Sequence, residues 1–280
     1  MPRLVFAAAS DTLQLWGVPS APEQRGHPVV HDIAIETVSR GREGLELSAR
    51  LSSDGGLIER PVTWTVTSGT GELVYSGDIP IADFAAPPGD YAVGIDYGAV
   101  HISQAVTLAE GTRLIASFVL EAGGIRILPR IEGMGLPAAP SRSLIYALAG
   151  PHKGELVAIS TEPGELLRVP AGPYRIESRF DAGNASAAAD VKVKPGLMSA
   201  VEIDHAAGLA PLAFVGPPDA GVRWRIADAQ GNALPPLEGL SADIVLKPGT
   251  YTATALVGGE TLTARFGIAS GETRDIILGN

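Results

Sequence analysis

At 280 residues, with 45% apolar residues and a net charge of −10, the chain has material for two or three cores and too little basic character to hold nucleic acid. Its 34 glycines and 22 prolines are spread along its length, as many short strands joined by tight turns require. Cysteine is absent, which excludes disulfides, thiolate metal sites and cysteine nucleophiles, and no apolar run reaches the roughly eighteen residues of a membrane helix.

In chain order, Met1-Pro2-Arg3 and the apolar stretch from Leu4 begin like a secretory signal, but Asp11 cuts it short, so no competent signal is read. The chain then reads as a mature form restarted with Met, or as a product whose export signal is missing. Leu13-Gln14-Leu15-Trp16 and Val29 to Ile35 are strand-like. Residues 1–44 carry no complete unit of their own, so they are expected to pair with an edge of the next unit or with another chain.

From residue 45 onward the sequence repeats itself. Pro87-Pro88-Gly89-Asp90-Tyr91, Pro170-Ala171-Gly172-Pro173-Tyr174 and Lys247-Pro248-Gly249-Thr250-Tyr251 share Gly-x-Tyr after a proline. An aromatic stands 27 or 28 residues before each tyrosine, at Trp64, Tyr146 and Trp224. Glycines follow each aromatic (Gly71, Gly154, Gly231) and each tyrosine (Gly111, Gly196, Gly271). Landmarks recurring in this order three times mark tandem units. Val62-Thr63-Trp64-Thr65-Val66 and Val222-Arg223-Trp224-Arg225-Ile226 alternate in the period-two pattern of half-buried strands. No segment reads as a convincing helix; alanine-rich 185–189 is too short.

These spacings predict an all-β chain of three tandem Ig-like β-sandwiches: repeat 1 over 45–124, repeat 2 over 125–208 and repeat 3 over 209–280, preceded by the strand segment 1–44. In each, the proline fixes φ before the turn, the glycine takes a positive φ where one is needed, and the tyrosine begins the next strand. Its ring is expected to close the end of the core with the hydroxyl on backbone, as in a tyrosine corner. Trp64, Tyr146 and Trp224 are expected to fill the centres. The joins, Glu121-Ala122-Gly123-Gly124 and the stretch from Ile203 to Leu209, are short and neither Ser/Gly-rich nor Pro-rich, which predicts a stiff rod.

Leu246-Lys247-Pro248-Gly249-Thr250-Tyr251, followed by Ile268-Ala269-Ser270-Gly271-Glu272-Thr273 and Asp275-Ile276-Ile277-Leu278, resembles the carboxypeptidase regulatory-like repeat, a transthyretin-type β-sandwich of bacterial surface and periplasmic proteins. Pro88 to Leu120 fits the same pattern, and the middle unit departs from it at Ala171. Similar repeats form the tail of bacterial proteins with a von Willebrand A domain at the front, but no Asp-x-Ser-x-Ser metal motif is present here. The resemblance covers residues 45–280. It implies a periplasmic or extracellular location and a role in holding or binding rather than a common chemistry.

No catalytic constellation appears: there is no Gly-x-Ser-x-Gly elbow, Ser-x-x-Lys pair or phosphate-binding glycine loop. His27 and His31 beside Asp32 invite a metal reading, but in a strand they lie about 13 Å apart with no third ligand nearby. Asp181 to Ser186 has oxygen ligands without the EF-hand pattern and reads as a hairpin turn. The expected function is a non-enzymatic structural or protein-interaction module, without cofactor or metal, meeting protein partners through edge strands or sandwich faces. The alternative is a glycan or small-molecule binder that uses Trp16, Trp64 or Trp224 as a stacking platform. Exposure of those rings separates the two.

Overall fold

A computed structural model describes residues 31–135 and 139–279, and among them every regular element is a strand. After β1 (His31–Thr37) the chain runs three times through the same seven-strand course. The first pass comprises β2 (Gly44–Arg50), β3 (Val62–Ser68), β4 (Leu73–Ile79), β5 (Ala82–Ala85), β6 (Gly89–Tyr97), β7 (Val100–Leu108) and β8 (Thr112–Val119). The second is β9 (Ala122–Ile131), β10 (Ser141–Ala147), β11 (Leu156–Ser160), β12 (Leu166–Pro170), β13 (Gly172–Phe180), β14 (Ser186–Val193) and β15 (Met198–His205). The third is β16 (Gly208–Val215), β17 (Arg223–Asp228), β18 (Leu237–Glu238), β19 (Ser241–Leu246), β20 (Gly249–Val257), β21 (Glu260–Ile268) and β22 (Ile276–Gly279).

Each unit is a sandwich of two sheets with one topology. One sheet has the order fourth–first–seventh strand: β5-β2-β8, β12-β9-β15 and β19-β16-β22. The other has the order third–second–fifth–sixth: β4-β3-β6-β7, β11-β10-β13-β14 and β18-β17-β20-β21. First and seventh strands pair parallel in every unit, and the other pairs are antiparallel. Three tandem β-sandwiches follow directly from these sheets.

The alternation read in the sequence decides which side chains enter each core. In β6 the residues Tyr91, Val93, Ile95 and Tyr97 are buried, with exposed or half-buried residues between them. β20 repeats this with Tyr251, Ala253 and Ala255. The first core gathers Leu45, Leu47, Trp64, Val66, Ile95 and Phe118; the third gathers Leu212, Trp224, Ile226, Ile244, Phe266 and Ile276. The middle core is smaller, built on Ile125, Ile127, Ile145, Val169, Ile176 and Ile203.

β1 is an addition to the first sandwich. It pairs antiparallel with β8 over seven residues, from His31 opposite Phe118 to Thr37 opposite Thr112. The C-terminal part of the leading segment therefore pairs in cis with an edge of the first unit. Ile33 and Ile35 lie on the same face as Ala116 and Leu114 but remain 45% and 65% exposed.

Candidate interaction surfaces

The sequence landmarks fall into two groups. Trp64 and Trp224 are fully buried at the centres of their sandwiches, and each indole N–H donates to a carbonyl fifteen residues on, Ile79 at 2.8 Å and Gly239 at 3.0 Å. Tyr91, Tyr174 and Tyr251 are each 4% exposed, and each hydroxyl donates to the carbonyl four residues upstream: Pro87, Pro170 (2.7 Å) and Lys247 (2.9 Å). Burial pushes the Tyr174 phenol up to about 12 and raises that of Tyr91. The turn glycines Gly71, Gly154 and Gly231 all take φ near +85°, where a Cβ would be strained.

Tyr146 does not occupy the place of the tryptophans. Trp64 stands opposite Ile95 and Trp224 opposite Ala255, four residues after the corner tyrosine in both cases. In the middle unit the residue four past Tyr174 is Ser178, and its partner is Ser143. Tyr146 is half-buried on the outer face of β10, opposite Arg175. The cause is hairpin length: the residue at this position pairs thirteen residues on in the outer units, Trp64 with Gly77 and Trp224 with Leu237, but seventeen on in the middle one, Ser143 with Ser160, so an aromatic at the familiar distance belongs to another position.

In place of an indole the middle sandwich buries small polar groups. Ser141, Ser143, Ser160, Ser178 and His205 are all at most 5% exposed. The His205 ring lies 3.2 Å from the Ser178 carbonyl through Nε2 and 3.0 Å from the Arg130 carbonyl through Nδ1, and packs on Phe180 at 4.8 Å between centroids. This histidine bonds backbone rather than the Ser178 hydroxyl, so the two are not arranged as base and nucleophile. No signal in the sequence set these serines apart from surface ones.

Other candidates stay separate. His101 pairs with Asp96 at 2.5 Å and His152 with Glu155 at 2.7 Å, both on the surface. His27 and Trp16 lie outside the described residues. Among the described residues no three His, Asp or Glu side chains gather in a metal-holding arrangement, and no helix is long and apolar enough to cross a membrane. With Trp64 and Trp224 enclosed, neither offers a face for stacking a ligand.

What remains are edges and ends. The outer edge of β8 is covered by β1, whereas β15 and β22, its counterparts in the other units, are edge strands. Two clefts lie on the outer units. One, of about 490 Å³, is lined by Arg40, Glu43, Ala85, Ala86, Pro87 and Pro88 on the first unit. The other, of about 360 Å³, is lined by Phe214, Val215, Val257, Glu260 and Leu262 on the third. In the first, the Glu43 carboxylate accepts from the amides of Gly41 (2.6 Å) and Gly111 (3.1 Å). These bonds, together with its own amide, which has the largest effect, hold its pKa below the usual glutamate value.

No family model matches this chain, and no curated protein matches it. Among solved structures it is similar to the TIE protein of Bacillus anthracis, with 17% identity and a TM-score of 0.25 over 85% of this chain and 50% of that one. It therefore spans half that protein's length. A minor pilin of Streptococcus agalactiae aligns with 15% identity and a TM-score of 0.26 over 57% of this chain and 95% of that one. A streptococcal ancillary pilin aligns with 13% identity and a TM-score of 0.30 over 85% and 98%. Superpositions this loose carry no argument about function, and the fold rests on the chain's own sheets.

Proposed function

We propose that this chain is a non-enzymatic structural module, a stiff three-sandwich rod that spaces and presents protein-binding surfaces. The observation that carries this is a joint between units that is built twice from corresponding residues. At the first join only Leu120 and Glu121 separate β8 from β9, and at the second only Ala206 and Ala207 separate β15 from β16. The hairpin after the fifth strand of one unit then bonds the fourth strand of the next. Ala99 N–H donates to the Arg168 carbonyl at 2.8 Å, and Val245 N–H donates to the Ala182 carbonyl at 3.0 Å. Arg168 and Val245 are equivalent positions, two residues before the carbonyl that receives the corner tyrosine.

Packing reinforces both joints. The Arg168 guanidinium lies over the Tyr97 ring at 5.6 Å, and Ile131, Phe180, Ala185, Ala207 and Val245 form a buried cluster across the second join. A hinge would need such contacts to open. The units are taken to meet at Leu120–Glu121 and Ala206–Ala207, with β1 belonging to the first. A setting at the bacterial envelope or outside the cell is supported by the resemblance of the repeats to surface and periplasmic modules, and partners would be proteins that meet edges or ends. Residual dipolar couplings measured on the monomer test the rod. One alignment tensor for all three units is expected; three independent tensors would overturn the reading.

A further inference from the structure

The same joint has two halves that none of the described residues occupies, one on the first unit and one on the third. Ala85 corresponds to Arg168 and Val245: it stands opposite Gly44 as Arg168 stands opposite Gly124 and Val245 opposite Leu209. Val245 is fully buried by the preceding unit and Arg168 is half-buried, but Ala85 is exposed and lines the first-unit cleft. β5 is the edge strand of its sheet, so the Ala85 carbonyl faces outward in the way the Arg168 carbonyl does.

The third unit holds the complementary half. β20 and β6 have the same length from glycine to last residue, so Val257, Gly258 and Gly259 correspond to Tyr97, Gly98 and Ala99. A glycine makes the closest approach in both internal joints. A Cβ on Gly98 would stand 2.6 Å from the Arg168 Cβ, and one on Gly183 only 1.9 Å from the Val245 carbonyl oxygen. Gly258 keeps the same positive φ (+56° against +67° at Gly98) yet has nothing within 4 Å of its Cβ position. Around it, Phe214, Val215 and Val257 occupy the places of Pro129, Arg130 and Phe180, residues next to or within the buried contact at the second joint. Val215 is 53% exposed here.

We propose that these halves bind each other between molecules: the Val257–Glu260 hairpin of one copy docks on Ala85 and the first-unit cleft of another, with the Gly259 N–H donating to the Ala85 carbonyl as Ala99 does to Arg168. This rests on the reading of the internal joints as rigid. The contact is head-to-tail, so each copy in a pair keeps one free half and further copies add to it rather than stopping at a dimer. Lacking the covalent join that makes the internal joints effectively unimolecular, it forms only at high protein concentration.

The test is sedimentation of the intact protein across a concentration series reaching the millimolar range. Weight-average mass should climb from the monomer's 28.9 kDa to at least twice that with no plateau at the dimer. Ala85→Glu at one end and Gly258→Asn at the other should each hold the mass at the monomer. Asn tolerates the positive φ while adding the side chain that the Gly98 geometry forbids, and an unchanged melting temperature shows that each variant folds. A mixture of the two variants retains one intact half on each molecule and should stop at a dimer. Mass fixed at the monomer, a plateau at the dimer for the unaltered chain, or indifference to both substitutions would overturn the proposal. Because the dipolar couplings are measured on the monomer, a single tensor without association would sink the end-to-end contact and leave the rod standing. Independent tensors would remove its template.

Discussion

The outer sandwiches and the middle one solve the same packing problem in opposite ways. In the first and third, one large indole reaches across the core and is satisfied by a single backbone carbonyl. In the middle unit the corresponding position is Ser143, opposite Ser178, and the unit buries further small polar side chains at Ser141 and Ser160. A topology of seven strands with fixed pairing tolerates this exchange because sheet register is set by alternation and turns, not by any one core residue. What changes is how the stability is held. An indole concentrates it in one side chain, whereas the middle unit spreads it over small groups, with the Ser160 hydroxyl on the Glu162 carbonyl and the His205 ring on backbone carbonyls, bonds whose net worth is small.

The largest expected effect breaks that comparison most directly. Trp64→Ala or Trp224→Ala should cost its own sandwich about 3–5 kcal/mol, since a fully buried ring is removed and the sheets cannot collapse into the space. Ser143→Ala at the matching position should cost under about 1 kcal/mol. Hydrogen exchange resolved by unit, with denaturant titration, measures both. Equal losses at Trp64 and Ser143 would mean that the middle core depends on a single position as the others do.

Next is the pH response of the middle unit. The Tyr174 phenol ionises near 12 in the folded protein, against about 10 for a free phenol, because burial disfavours the charged form. The raised value means that its contribution is complete below pH 10 and is lost as pH rises through 12. The loss is about 2 kcal/mol once partial solvent screening is allowed for. Alkaline unfolding followed by exchange should therefore open the middle unit over that window. Tyr174→Phe, although less stable at neutral pH, should flatten the step; a step that persists in the variant would assign it elsewhere.

Much of this was legible in the sequence because the signals are local. Gly71, Gly154 and Gly231 need a positive φ wherever the chain puts them, and a proline before Gly-x-Tyr fixes a corner whose hydroxyl bond spans only four residues. The centre of the middle core was not legible. Spacing in sequence equals spacing in the sheet only while loops keep their length, and the longer β10–β11 loop moved Tyr146 onto an outer face while giving the core position to a serine. The joints were half legible. The shortness of the joins could be read, but a glycine such as Gly98 looks the same in sequence whether it serves its hairpin or the neighbouring unit.

A smaller effect separates the corner tyrosines from one another. The Tyr251 hydroxyl donates to Lys247 and also accepts from the Asn184 side-chain amide (3.0 Å), which itself accepts from the Lys247 amide at 2.9 Å. This corner therefore ties the third sandwich to the hairpin of the second. Tyr251→Phe should cost about 1 kcal/mol and weaken the coupled opening of units two and three, whereas Tyr91→Phe should cost a similar amount within the first unit alone. Unit-resolved exchange in the two variants distinguishes them, and matching patterns would show that the Asn184 bond couples nothing.

The smallest expected effect has the opposite sign. Ser178 is 1% exposed, and its Oγ has no hydrogen-bond partner among the described residues, although its carbonyl receives the His205 ring. A buried hydroxyl without a partner has lost its water and gained nothing in return. Ser178→Ala removes that cost and leaves the backbone, the β10–β13 pairing and the His205 contact in place. Against the gain stands the void left by one oxygen, which is small beside the cavities that follow loss of whole branched side chains. The balance should stabilise the middle unit by up to about 1 kcal/mol, with the outer units unchanged. Thermal denaturation of the variant together with unit-resolved exchange measures it. A loss of stability instead would mean that the hydroxyl is satisfied in solution, by a bound water shared with Ser143, and that the middle core is held by a connected polar network rather than by separate small contacts.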